Sequence, residues 1–265
     1  MLGSYIFSRD PTGMVPTDVG TEIIARSRTI MNEFRRLEEQ VKQIQGEMVG
    51  SIRIVVSPLA AIKIVPLALS TFKRKHPNVR VHIDSGQAPT AFAPLRRGDA
   101  DLVIAPTPST PSEEGGLSYS HLFSDPLVFI TGGTSKFAST EMVSGLVQAQ
   151  WLMFGPKERE HIILGYLSQL GVEPKFPLTC SDSVLSVMGL LVNSDMVCTC
   201  PLSLFEELRI GWNIVQIPIT VALDPIEISV ITSTTRPPTS AALAFKEVVL
   251  QEATHLPFSP QEQQL

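Results

Sequence analysis

Long apolar runs, a cysteine framework, an excess of basic charge and any recognisable catalytic motif are all missing from this sequence. No run of about eighteen apolar residues occurs, so no membrane-spanning helix and no membrane partner are expected. The first residues also lack the basic start, apolar core and small-residue cleavage site of a secretory signal, and the expected location is cytoplasmic. Three cysteines, Cys180, Cys198 and Cys200, are an odd number in 265 residues and do not make a disulfide set; they are expected to be reduced and buried. Cys-x-Cys with one distant cysteine and no nearby histidine is a weak ligand set, so no metal is expected. With 21 basic against 26 acidic residues the net charge is −5, which excludes a protein that coats nucleic acid generally but allows a local basic face. There is no glycine-rich phosphate fingerprint, no HExxH and no nucleophile elbow. The histidines (76, 82, 121, 161 and 255) are scattered, and Asp99 and Asp101 bracket a turn with their side chains on opposite sides. No catalytic residue and no cofactor is expected.

What is present is an ordinary soluble composition, 43% hydrophobic and 18% charged, in a chain long enough for two compact domains. Asp10-Pro11-Thr12-Gly13 reads as a hairpin turn, with proline fixing φ at one corner and glycine free to take φ > 0 at the other. Pro16-Thr17-Asp18 then announces a helix: Thr17 can cap its free N–H groups and Asp18 complements its dipole. From Ile23 the positions 23, 27, 30, 34, 37, 41, 44 and 48 alternate by four and three, the spacing of a heptad seam. That period favours pairing with a second helix, and Gly46 and Gly50 are expected to close the element.

After Gly50 short apolar strands alternate with helices, the pattern of parallel α/β structure. Strands are expected at 51–56, 79–83 and 100–105, with one helix from Ser57 to the His76-Pro77 pair and another over 89–98. The turn-rich segment 106–116 reads as a connection between lobes. The second half repeats the logic, with strands at 126–131, 151–155, 175–180, 195–200, 213–219 and 226–233 and helices between, one of them capped by Ser181 or Asp182. Two α/β lobes are expected, the final strand and helix returning to the first. Several strand ends feed helix N-termini directly, and ligands of open α/β sheets bind outside the carboxyl ends of strands, where free N–H groups favour an anion. If the lobes face each other, Ser57, Thr199 and the backbone around Gly155 converge on one small-molecule site.

With these elements in place the sequence resembles a LysR-type transcriptional regulator over nearly its whole length. The family's wing-to-linker signature has counterparts in Phe7, Arg9, Gly13, Thr17 and Gly20. "GSIRIVVSPLAAIKIVPLALSTFKRKHPNVRV" resembles the start of the effector domain, "LRRGDADLVIA" the segment closing the first half of a lobe, and "LFSDPLVFIT" the passage into the second. The resemblance implies an α/β fold: a two-lobed, periplasmic-binding-protein-like effector domain preceded by a long dimerisation helix and the remnant of a winged helix-turn-helix. The corresponding division is a remnant wing at 1–16, a linker helix at 17–50 and an effector domain at 51–265, with lobe I at about 51–108 and 220–265 and lobe II at about 109–219. It also implies ligand contacts at Ser57, Pro58, Leu59, Pro106, Thr131, Thr199, Cys200 and Pro201, and a DNA-backbone contact from Arg9 as part of a wing. Leu59, Pro106 and Cys200 stand where relatives often carry hydroxyls, so the expected inducer is a carboxylate with an apolar body. Expected partners are that inducer, a second copy through the linker helix with assembly to tetramers, and promoter DNA for the full-length form. No helix-turn-helix lies in the sequence itself, and the chain is expected to sense and dimerise without reading a DNA sequence alone. A solute-binding protein of transport, and less so an enzyme on the same bilobal scaffold, remain alternatives.

Overall fold

The computed structural model describes residues 4–11, 13–44, 49–108, 115–221, 223–236 and 238–256. At the N-terminus, β1 (Phe7–Asp10) and β2 (Gly13–Pro16) pair antiparallel, Phe7 opposite Pro16 and Asp10 opposite Gly13. Gly13 takes φ 138°, the left-handed freedom that the turn requires. Thr17 then joins hairpin to helix: its hydroxyl accepts from Gly20 N at 3.0 Å and donates to the Tyr5 carbonyl at 2.7 Å, while its amide donates to Ile6 O at 3.0 Å. A Cβ at Gly20 would stand 1.8 Å from the Ile6 carbonyl oxygen, so glycine lets the strand lie against the first helical turn. The helix α1 runs Asp18–Ile44. Gly50 does not close it but opens the next strand opposite Val79; Gly46 and Met48 lie outside the described residues.

The first large sheet contains β3 (Gly50–Val56), β4 (Val79–Ser85), β5 (Leu102–Pro106), β6 (Leu117–Asp125) and β12 (Ile226–Ser233), in the order β4-β3-β5-β12-β6. The pairs β3–β4 and β3–β5 are parallel, and β12 runs antiparallel to both neighbours. Strand alternation splits its residues between two faces. Ile52, Ile54, Leu102 and Ile104 pack under α2 (Pro58–Lys63), α3 (Val65–Lys75) and α8 (Ser240–Ala253), while Val55, Val103 and Ala105 pack under α4 (Phe92–Arg97). The single helix expected after Ser57 is broken at Ile64, because Pro66 can occupy only the first turn of a helix and so starts a new one.

The second sheet contains β7 (Leu127–Gly132), β8 (Gln150–Phe154), β9 (Thr179–Ser181), β10 (Met196–Pro201) and β11 (Ile214–Gln216), in the order β11-β7-β10-β8-β9. One face is covered by α6 (Val184–Val192) and α7 (Leu202–Leu208), the other by α5 (Glu160–Gln169) and a cluster around Trp151 and Phe129. The cap of α6 is Ser183, which accepts from Ser186 N at 3.3 Å, rather than Ser181 or Asp182.

The division between lobes also differs from expectation. Residues 117–125, expected in lobe II, pair along β12 and belong to the first sheet, so the chain crosses at Pro126 rather than after residue 108. On the return, Ile217, Ile219, Val221 and Leu223 still pack on the second lobe, and the crossing falls just before Ile226 rather than at 219–220. The hinge is polar and buried. Asp125, with no exposed surface, accepts from Ser203 N at 3.2 Å, and Lys63 of α2 donates to the Ser203 hydroxyl. Burial pushes the Asp125 carboxyl above its ordinary range, against the lowering effects of the Ser203 hydrogen bonds and Lys63.

Candidate functional site

Between the lobes, just beside these crossings, lies a cavity of about 80 Å³. Four strand ends build it, those of β3, β5, β8 and β10. At the end of β3 the chain turns into α2 at Ser57, whose hydroxyl accepts from Ala60 N at 3.4 Å and whose side chain is 2% exposed. Pro58 at the first helical position and Leu59 follow it into the lining. Pro106 ends β5, and Thr199 and Pro201 come from the end of β10. Six of the residues singled out from sequence, Ser57, Pro58, Leu59, Pro106, Thr199 and Pro201, therefore meet at one cavity although they span three separate stretches of chain.

Three others do not line it. Cys200 points to the opposite face of β10 from Thr199, as strand alternation requires, and is buried with Cys198 in the core. Burial pushes the Cys198 thiol up to about 12 and that of Cys200 well above its ordinary value, so both stay protonated, structural thiols. Cys180, expected to be buried, is partly exposed at the edge strand β9. Thr131 is fully buried and spends its hydroxyl on the Met196 carbonyl at 2.8 Å. Gly155 stands next to the cavity: its φ of 147° is a glycine conformation, and a Cβ there would lie 3.8 Å from Gln87 Oε1.

Residues that sequence reasoning passed over supply the rest of the wall. Leu127, Met153, Phe154, Ile163, Leu204 and Ile226 make it largely apolar. Gln87 from the first lobe and Arg159 from the second face each other across it, Arg159 Nη1 donating to Gln87 Oε1 at 3.4 Å. Arg159 ends a short 3-10 turn (Lys157–Arg159) that leads into α5. Burial pulls its pKa down from the ordinary arginine value.

The carboxylates noted in the sequence have structural roles. Asp101 is buried and accepts from Arg53 N at 2.9 Å. Asp99 accepts from Asn32 Nδ2 of α1 at 3.2 Å and from Arg97 Nε at 2.9 Å. Among the described residues there is no group of three or more metal-ligating side chains, and no helix long and apolar enough to cross a membrane. Arg9 sits on β1 opposite Met14 and is exposed.

The family model described as the LysR substrate binding domain matches residues 45–254. The HTH-type transcriptional regulator GalR of Pseudomonas putida is 27% identical over 199 residues, which cover 74% of this chain and 49% of that protein. The chain thus spans about half the length of that curated relative. Among solved structures, full-length CbnR complexed with its target DNA superposes with a TM-score of 0.70 at 18% identity, covering 95% of this chain and 85% of that one. The effector binding domain of QuiR in complex with shikimate gives 0.66 at 15% identity, covering 78% and 98%. Both structural likenesses are of fold, two α/β lobes with a cleft between them.

Proposed function

We propose, from the premise that the chain belongs to the LysR substrate-binding domain family, that it is the sensing and assembling part of a transcription regulator. The observation that carries this reading is the cavity itself, lined from both lobes at strand ends beside the two crossings, so that a bound molecule bears on the angle between lobes. Ser57, Pro58, Leu59, Pro106, Thr199 and Pro201 are its contacts, and the apolar wall with Arg159 suits a carboxylate with an apolar body. Gly155 shapes the approach through its backbone, while Thr131 and Cys200 hold the frame behind it.

In this reading α1 is the linker through which two copies dimerise, and pairs of dimers form tetramers. The hairpin β1–β2 is the wing, with Arg9 on a DNA phosphate, and promoter DNA is the partner of the full-length form. In this reading the protein is cytoplasmic and not an enzyme. The test is a thermal-shift screen of small carboxylates on the unaltered chain, repeated on Leu59→Trp, which fills the cavity. Ligands that raise the melting temperature of the first and not of the second support the reading. Ligands that stabilise both equally place binding elsewhere and contradict it.

A further inference from the structure

The hydrogen-bonding capacity around the cavity is one-sided. Arg159 can only donate, with up to five N–H groups, and its bond across the cavity to Gln87 is a long 3.4 Å contact. Among the described residues no carboxylate lines the cavity beside it. The Thr199 hydroxyl lies on the same wall, and the Ser57 hydroxyl, which accepts from Ala60 N, still has its proton to give. A half-buried guanidinium with no counter-charge is costly, and the stable solution is an anion bound against it. The donors come from both lobes, Ser57 from the first and Arg159 and Thr199 from the second.

Size narrows the choice further. An apolar cavity of roughly 150 Å³ holds one benzene ring. At about 80 Å³ in this arrangement of the lobes, the cavity matches a carboxylate on a chain of a few carbons more closely than a ring bearing one. The apolar lining at Leu59, Met153 and Phe154 suits that chain, and Arg159 with its planar fork suits the carboxylate end.

Building on the sensor reading above, we propose that Arg159 anchors the anion and sets specificity, and that the ligand of this cleft is a small aliphatic monocarboxylate rather than an aromatic acid or a neutral molecule. Arg159 is a positioning and specificity residue, contributing charge from lobe II to a molecule that also touches lobe I.

The experiment is calorimetric titration of the full chain with propionate, its neutral isostere propionamide, and benzoate. Propionate is expected to bind, and the other two to bind at least about tenfold more weakly. Arg159→Met is expected to weaken propionate by about ten- to a hundredfold, the range for a charge-assisted hydrogen bond, without weakening propionamide. Arg159→Lys should restore part of the loss, which a purely structural role would not produce. Melting curves of each variant check that it is folded. No propionate binding, or equal propionate binding by Arg159→Met, overturns the proposal. If Leu59→Trp nevertheless abolishes benzoate or propionamide binding, the cleft remains the sensing site and only the anchor is wrong. If propionate binds equally to Leu59→Trp, both readings fall together.

Discussion

Two amphipathic helices of this molecule, α1 and α8, end in opposite situations. The second buries Ala241, Ala242, Phe245, Val248, Val249 and Ala253 on the first sheet and α3, where the rings of Phe245 and Phe72 meet edge to face at 5.3 Å. The first leaves Ile30, Met31, Phe34, Leu37 and Val41 in solvent, Ile30 67% exposed. Polar contacts tie it to the lobe: Asn32 to Asp99 at 3.2 Å, and Glu33 to Arg236 at 3.8 Å. A contiguous apolar stripe of that kind on a long helix marks an association surface. The lobes are satisfied by their own chain, whereas the stripe of α1 is left open, as the proposed pairing with a second copy requires.

The contrast can be broken most forcibly from the inside. Phe245→Ala removes a ring packed against Phe72 in the core and is expected to cost about 3 to 5 kcal/mol in a denaturant melt. A loss below about 1 kcal/mol would mean that α8 is not integral to the lobe. A smaller effect of opposite sign is expected at the hinge. The raised Asp125 carboxyl means that the folded state binds its proton more readily than the unfolded chain, so burying the charged form lowers stability once pH rises through the folded value. Asp125→Asn, which keeps an oxygen for Ser203 N, should therefore be more stable than the unaltered chain near neutrality, by less than the Phe245→Ala loss. The advantage should shrink as pH falls through the folded value and vanish below about pH 3.9, the unfolded one. A difference independent of pH would contradict the assignment.

Asp99→Ala, which cuts a contact between α1 and the first lobe, is expected to cost about 0.5 to 1 kcal/mol. Leu37→Lys should change the melt of the lobes least, by less than about 0.5 kcal/mol, while converting the chain to monomers in a sedimentation experiment. If the lobes lost stability with it, α1 would belong to their core after all.

Much of this was legible in the sequence because it rests on local rules. The heptad spacing marked the stripe of α1, and the Thr17-to-Gly20 spacing marked a junction where a cap and a close backbone approach coincide. Strand ends followed by Ser or Pro marked most of the cavity. What was not legible depends on long-range pairing or on strand parity. β6 was missed because the ladder shifts register between Ile228 and Ser229, which leaves Leu122 and Phe123 buried in succession and breaks the alternation that announces a strand. Its placement beside β12 also moved the lobe boundary to Pro126. Thr131 and Cys200 sit at suitable heights along their strands, but one turns its hydroxyl to a backbone carbonyl and the other faces the core. Gln87 and Arg159 are 72 residues apart and meet only when the lobes do. A basic residue soon after the end of β8 was the available signal for Arg159, since strand carboxyl ends had already been marked as ligand sites.

If the cleft binds a small acid and α1 pairs with another copy, as proposed, the distance between the paired helices is the quantity that links the two most directly. Spin labels on Arg28→Cys in a Cys180→Ser background place one label on α1 of each copy, away from the buried Cys198 and Cys200. A defined interlabel distance in the unliganded chain is expected, shifting when the tightest-binding small carboxylate is added and not shifting in Arg159→Met. No dipolar coupling between labels, or one distance unchanged by saturating ligand, would contradict it.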